Sequence, residues 1–374
     1  MTDFQAAILH QVGQPLAIGR VTIDRLERGD VLVRIMASGL CHTDLEVIDG
    51  SLAYPMPIIL GHEGAGVVEA VGEGVEDIAA GDHVVASWNP HCGHCFYCRR
   101  DQPILCEPFT WHQPRGHLLD GASRLRAGAQ AVHHFSVVSS HAQYAVVPRS
   151  GAIRVPREIP FDRACLIGCG VMTGVGAAVR VAAVQAGATV AVIGCGAVGL
   201  NVIQGARLVG AGTVIGIDRD AARRDLARTF GADLAIGAVG EDVDAGVKAA
   251  TAGRGADYVF EAAGSAEGFR LATEITRPGG QLVFLGKVNV SQDVSFRWGA
   301  LMGEKKITRS SYGGARPERD FPWLARCYLD GKLKLDELIT ARLPLARIND
   351  GFDAMRRGQT IRTVVQPWDA AGSP

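Results

Sequence analysis

Cys92-Gly-His-Cys95-Phe-Tyr-Cys98 is followed eight residues later by Cys106, so four of the nine cysteines in a 374-residue chain fall in one short stretch. In a reducing space, thiols at this spacing suit a single zinc ion: the short intervals let a tight loop wrap the metal. Four sulfurs leave no position for water, which makes the expected role structural rather than catalytic. Ordinary buried thiols have no reason to recur every third residue. A free-standing nucleic-acid zinc ribbon would need a basic surface, and only Arg99 and Arg100 lie nearby.

A second metal set is spread along the chain: Gly39-Leu-Cys41-His42-Thr43-Asp44, Gly61-His62-Glu63-Gly64-Ala-Gly66, and Cys165-Leu-Ile-Gly168-Cys169-Gly170. Taken singly, each resembles an ordinary strand end. Together they offer two thiolates and an imidazole, the three-ligand set that leaves zinc a fourth position for water or substrate. Glu63 could add an oxygen ligand, and Asp44 could orient His62 from behind.

These groups need elements to hold them. The first motif follows a β-like run, VLVRIMASG, and the second follows the apolar PIIL. From Thr173 onward the pattern becomes helices alternating with short β-rich runs. ATVAVIG reads as a buried strand and runs into Gly194-Cys-Gly196-Ala-Val-Gly199, which opens the helical LNVIQGARLVGA. A second strand, TVIGID, ends in Asp218. Glycines between strand and helix permit a tight turn and close approach of a pyrophosphate to the helix N-terminus, while the acid can accept hydrogen bonds from a ribose. Further strands are predicted at ADYVFEAAG and GQLVFLG, giving a parallel doubly wound α/β sheet.

Composition narrows the class. With 47% hydrophobic residues and a net charge of −1, the chain can bury large cores and has no electrostatic reason to seek nucleic acid or an anionic membrane. Its length predicts about two domains. MTDFQAAILHQVG has neither the basic start nor the apolar run of a secretory signal, so a cytoplasmic protein is expected. The long uncharged window from Val181 to Ala206 holds Gln185, Asn201, Gln204 and several glycines, and reads as helix, strand, turn and helix rather than a membrane span.

In order and spacing, GLCHTD, GHEGAG, the four-cysteine lobe, GCGVMTG, GCGAVG with Asp218, and IRTVV make the chain similar to the zinc-dependent medium-chain alcohol dehydrogenases over nearly its whole length. That resemblance implies a GroES-like β-rich catalytic domain at residues 1–170, an inserted NAD-binding Rossmann domain at 171–310, and a C-terminal segment, 311–374, that completes the catalytic domain. It implies two zinc ions per chain: Cys41, His62 and Cys169 as catalytic ligands, and Cys92, Cys95, Cys98 and Cys106 as structural ones. Thr43 resembles the hydroxyl that meets the substrate oxygen, with Asp44 and Glu63 as supporting carboxylates. His42 and Arg362 match positions that neutralise the cofactor's pyrophosphate, Thr173 one that packs on the nicotinamide, and Arg223 one that joins Asp218 at the adenosine ribose.

The activity so implied is reversible hydride transfer between a primary alcohol, aromatic or medium-chain, and NAD. Zinc lowers the pKa of a bound water from about 15.7 to about 7 and should favour an alkoxide in the same way. Many relatives end the proton relay in a histidine three residues after the threonine; Glu46 stands there instead, as terminal base unless the proton passes straight to water. The loop after Cys106 resembles the insert of dimeric members, so a homodimer is expected, with a tetramer as the alternative. Within that loop His133 and His134 read as imidazoles with backbone partners rather than ligands. Leu52 and Trp88 resemble pocket-lining residues, and Lys287 takes a pocket position that is usually apolar. Glutathione-dependent formaldehyde dehydrogenases of the family carry an arginine where Thr110 stands and acidic residues in the segment here reading DGSLAYP. This sequence has neither feature, so a thiol-adduct formaldehyde dehydrogenase is the second reading and an inactive nucleotide-binding relative the third.

Overall fold

The computed structural model describes residues 2–238 and 242–368. The chain forms two units, Met1–Cys169 with Arg316–Pro374, and Gly170–Ala315. The second junction falls at 315 where 310 was expected, because the turn Tyr312–Gly314 packs on the helix Met172–Gly176 of its own unit.

The first unit combines a closed five-stranded barrel with a seven-stranded sheet. At the sheet's centre lies Asp30–Gly39, paired on one side with Glu63–Val71 and on the other with both Tyr144–Pro148 and Arg362–Gln366. A central strand is covered on both faces, which explains why DVLVRIMASG reads as a nearly continuous apolar run. Its register pairs Gly39 with Glu63 on one side and with Val364 on the other. The ends of three sequence-distant strands therefore meet where Cys41, Glu63 and Arg362 stand. Glycine is required at 39, since a Cβ there would collide with the Glu63 carboxylate.

In the second unit six parallel strands lie in the order Leu234–Gly237, Thr213–Asp218, Thr189–Ile193, Ala256–Glu261, Thr276–Phe284, Lys306–Arg309. Counted by appearance, this is the 3-2-1-4-5-6 order of dinucleotide-binding sheets, whose switch point lies beside the first strand. Val, Ile and Ala fill its core because helices must cover both faces of a parallel sheet.

One described helical stretch, Phe161–Val181, is long and apolar enough to cross a membrane, but it is mostly buried within the fold. The uncharged window that begins at its end contains the strand Thr189–Ile193 and most of the helix Ala197–Leu208.

Candidate active site and metal centres

Cys41 caps the helix His42–Ile48, and Asp44 at the helix's third position accepts from the Cys41 N–H at 3.0 Å. This reciprocal box, encoded in four consecutive residues, fixes where the Cys41 sulfur points. Asp44 is fully buried and also accepts from Gly61 N at 3.0 Å and His62 Nδ1 at 3.2 Å. Holding the proton on Nδ1 leaves His62 Nε2 as the lone-pair nitrogen a metal needs. Phe135, fully buried, meets the His62 ring edge-on at 5.5 Å between centroids and limits its rotation.

The ligand atoms of Cys41, His62, Glu63 and Cys169 all lie within 4.8 Å of one another. A hydrogen bond from Cys169, together with the nearby charges of His62 and Arg362, holds the Cys41 thiol well below its usual range. Burial would raise the Asp44 carboxyl, but His62 and His141 outweigh it and keep the group at about 2. Burial wins at Glu63, which rises to about 7 despite Arg362 beside it. Neither Glu63 oxygen has a hydrogen-bond partner among the described residues, though Arg362 Nη1 lies 3.3 Å from Oε1. Orphaned carboxylate oxygens beside two thiols and an imidazole fit a divalent soft-to-borderline cation, and zinc in particular.

In the lobe, the four sulfurs of Cys92, Cys95, Cys98 and Cys106 also lie within 4.8 Å of one another. Backbone groups turn toward them: Cys92 N–H donates to Cys106 Sγ at 3.3 Å. The lobe's own residues make the cage, as their spacing requires.

In the second unit, Gly194 sits at φ +90° with its α-carbon against Ala263, a place closed to any side chain. Gly199 packs onto the Gly194 carbonyl, and a Cβ there would overlap it. Gly196 caps the helix Ala197–Leu208 without a side chain, so the first N–H groups of that helix are offered to an anion. Asp218 ends its strand with Oδ2 accepting from Cys195 N at 2.8 Å and Oδ1 from Asp220 N at 2.9 Å. A buried carboxylate braced in this way fits a ribose diol at its remaining lone pairs. Arg223 lies beside the same loop, its guanidinium near Gly196.

The remaining expected residues are placed as follows. Thr43 Oγ1 is 3.9 Å from Cys41 Sγ, and Glu46 stands one helical turn further on, partly buried. His42 is exposed in the helix's first turn, while Thr173 is partly buried in the helix Met172–Gly176. Arg362, expected at the pyrophosphate, is buried in the first unit, donating to Leu40 O at 3.1 Å and paired with Glu63. Leu52 packs on a core containing Leu45 and Phe352, and Trp88 tilts against Phe109 at 6.3 Å. Lys287 is exposed, its backbone against Gly264. His134 is fully buried and accepts from Arg124 N, whereas His133 pairs through its backbone with Pro57. Sequence reading missed His141, Ser38 and Ser140, buried behind Asp44. They sit in ordinary strand and loop text, and no spacing signals them.

The fold and these clusters define a zinc-binding dehydrogenase, and the sequence matches the family described as alcohol dehydrogenase GroES-like domain over residues 27–157 and zinc-binding dehydrogenase over residues 197–329. The chain belongs to this family of NAD-dependent zinc alcohol dehydrogenases, oxidoreductases of the medium-chain class. It is 38% identical to an alcohol dehydrogenase class-3 of Drosophila melanogaster, with 97% of each chain covered. It is 37% identical to an S-(hydroxymethyl)glutathione dehydrogenase of Paracoccus denitrificans, with 96% of this chain and 99% of that one covered. Among solved structures, the benzyl alcohol dehydrogenase of Acinetobacter calcoaceticus superimposes with a TM-score of 0.93 at 30% identity, over 98% of this chain and 99% of that one.

Proposed function

We propose that the chain interconverts primary alcohols, aromatic or medium-chain, and their aldehydes, with Cys41, His62 and Cys169 holding a catalytic zinc and the four-cysteine lobe a structural one. The observation that carries this reading is the meeting of two thiols and one imidazole within 4.8 Å, with the Thr43 hydroxyl alongside. Zinc held by these ligands would supply Lewis acidity to an alcohol oxygen, and a bound NAD would supply the hydride-accepting nicotinamide.

The chain's own residues orient and move the proton. Asp44 keeps His62 in the ligating tautomer. Thr43 Oγ1 accepts the substrate hydroxyl proton as it passes its own proton on, and Glu46, three residues on and on the same helical face, is the base that delivers it to water. Arg362 balances the negative charge that Glu63, Cys41 and Cys169 bring into a buried space. Gly194, Gly196, Gly199, Asp218 and Arg223 bind the dinucleotide, and the family resemblance assigns His42 to its pyrophosphate and Thr173 to its nicotinamide end.

Two observations pull the substrate class apart. Thr110 spends its hydroxyl on Cys106 O at 3.0 Å and carries no charge for a glutathione carboxylate, while Leu52 and Trp88 are apolar, which favours a plain alcohol. Identities of 37–38% to class-3 and S-(hydroxymethyl)glutathione relatives favour the thiol adduct of formaldehyde. Turnover of benzyl alcohol, hexanol and formaldehyde, the last with and without glutathione, separates the readings. Efficient oxidation of the free alcohols and no thiol-dependent gain on formaldehyde is the outcome expected. A cytoplasmic homodimer completes the proposal: reduced thiols suit the zinc lobe, and the long loop after Cys106 resembles that of dimeric members.

A further inference from the structure

Behind Asp44 lies a run of buried polar groups that the proposed reaction does not use. Ser140 Oγ lies 2.7 Å from Ser38 Oγ, and Ser38 Oγ lies 2.9 Å from His141 Nδ1. His141 Nε2 in turn faces Asp44 Oδ2 at 3.8 Å and makes no hydrogen bond among the described residues. Ser38, Ser140, His141 and Asp44 are all at most 0% exposed. The chain has one self-consistent direction: Ser140 donates to Ser38, Ser38 to Nδ1, and Nε2 points its hydrogen at the carboxylate.

The fold makes room for this arrangement. Gly61, at φ +94°, lies directly on the pair, and a Cβ there would fall 2.6 Å from His141 Nδ1 and 2.7 Å from Ser140 Oγ. Phe352 meets the His141 ring edge-on at 5.9 Å and closes the other side. Asp44 Oδ1 already receives Gly61 N and His62 Nδ1, whereas among the described residues Oδ2 receives only Cys41 N within hydrogen-bond range. A buried carboxylate oxygen short of donors is costly, and the His141 N–H is the group aimed at it. The gap is roughly 0.6–1 Å longer than a hydrogen bond, within reach of a small side-chain shift.

We infer that His141 is a positioning residue for the metal site, acting through Asp44: it fixes the carboxylate's rotation and thereby the tautomer and pose of His62. This rests on the reading of Cys41, His62 and Cys169 as ligands. Groups behind a metal's ligands commonly control affinity by 10–100-fold.

The test is zinc retention by purified holoenzyme titrated with a chelator, counted by atomic absorption, together with the visible spectrum after cobalt is exchanged into the catalytic site. His141→Phe, which keeps the volume and the Phe352 contact, should release one of two zinc ions at about 10-fold or lower chelator concentration, keep the lobe's zinc, and alter the cobalt bands. His141→Gln, whose amide can still donate, should recover most of the loss. Wild-type retention and wild-type cobalt bands in His141→Phe overturn the inference. Should that variant not fold, Ser38→Ala decides: weaker retention supports the inference, and retention equal to wild type overturns it. A wild-type chain that binds zinc only in the lobe would instead overturn the ligand reading beneath it.

Discussion

The preference for NAD over NADP rests on one carboxylate. Asp218 is 6% exposed and each oxygen is tied to a backbone N–H, one of Cys195 in the glycine turn and one of Asp220, so it cannot swing away from a 2′-phosphate. At about 4 Å and an effective dielectric of about 20, each unit of phosphate charge costs roughly 4 kcal/mol against it. Arg223 beside the loop and the exposed Arg219 return part of this, whereas Arg224 is occupied with the carbonyls of Asp218 and Arg219 at 3.0 Å. Cancelling about half leaves roughly 2 kcal/mol, or about 30-fold in kcat/KM in favour of NAD. Steady-state kinetics with both cofactors at a saturating alcohol measure the ratio. In Asp218→Gly the ratio should shift at least about 10-fold toward NADP, while NAD itself loses efficiency with its ribose hydrogen bonds. Equal use of both cofactors by the wild type, or a ratio unmoved in the variant, refutes the reasoning.

Other outcomes test other parts. Cys106→Ser should lose the lobe's zinc and melt several degrees lower, since metal binding and folding are coupled there, while Cys169→Ser should stay folded, bind NAD in a fluorescence titration and turn over little. Glu46→Gln should slow alcohol oxidation most at the acid end of the pH range, where no other base competes, with zinc content unchanged; a uniform slowing would mean lost geometry instead. Burial and the nearby Arg124 push His134 down to about 3 from an unfolded value near 6.5, so the unfolded chain takes up the proton first and stability falls as pH drops below 6.5. That slope is about 1.4 kcal/mol per pH unit, or about 2 kcal/mol between pH 6.5 and 5, and denaturant midpoints of wild type minus His134→Gln at saturating zinc should show the difference.

Local text was enough where a site is made by neighbours in the chain. Cys92, Cys95, Cys98 and Cys106 converge because a short loop can reach around one ion, so spacing alone predicts their meeting. The Gly194–Gly199 turn is likewise legible, since the steric demand for glycine is met within six residues and the next strand carries Asp218. Cys41 and Asp44 are local too, because a capping box spans a single helical turn. What only the tertiary structure decided is which distant ends meet. Pairing of Asp30–Gly39 with Glu63–Val71 and Arg362–Gln366 sets Glu63 against an arginine about 300 residues away, and no periodicity carries that register. His141 behind Asp44 is the same case: a histidine between a serine and an alanine looks like any other, and it acquires a partner only because Gly61, without a Cβ, lets two segments press together. Side-chain chemistry is written residue by residue, but burial and hydrogen-bond geometry arise from sheet register and close packing, which couple positions that the linear text leaves unrelated.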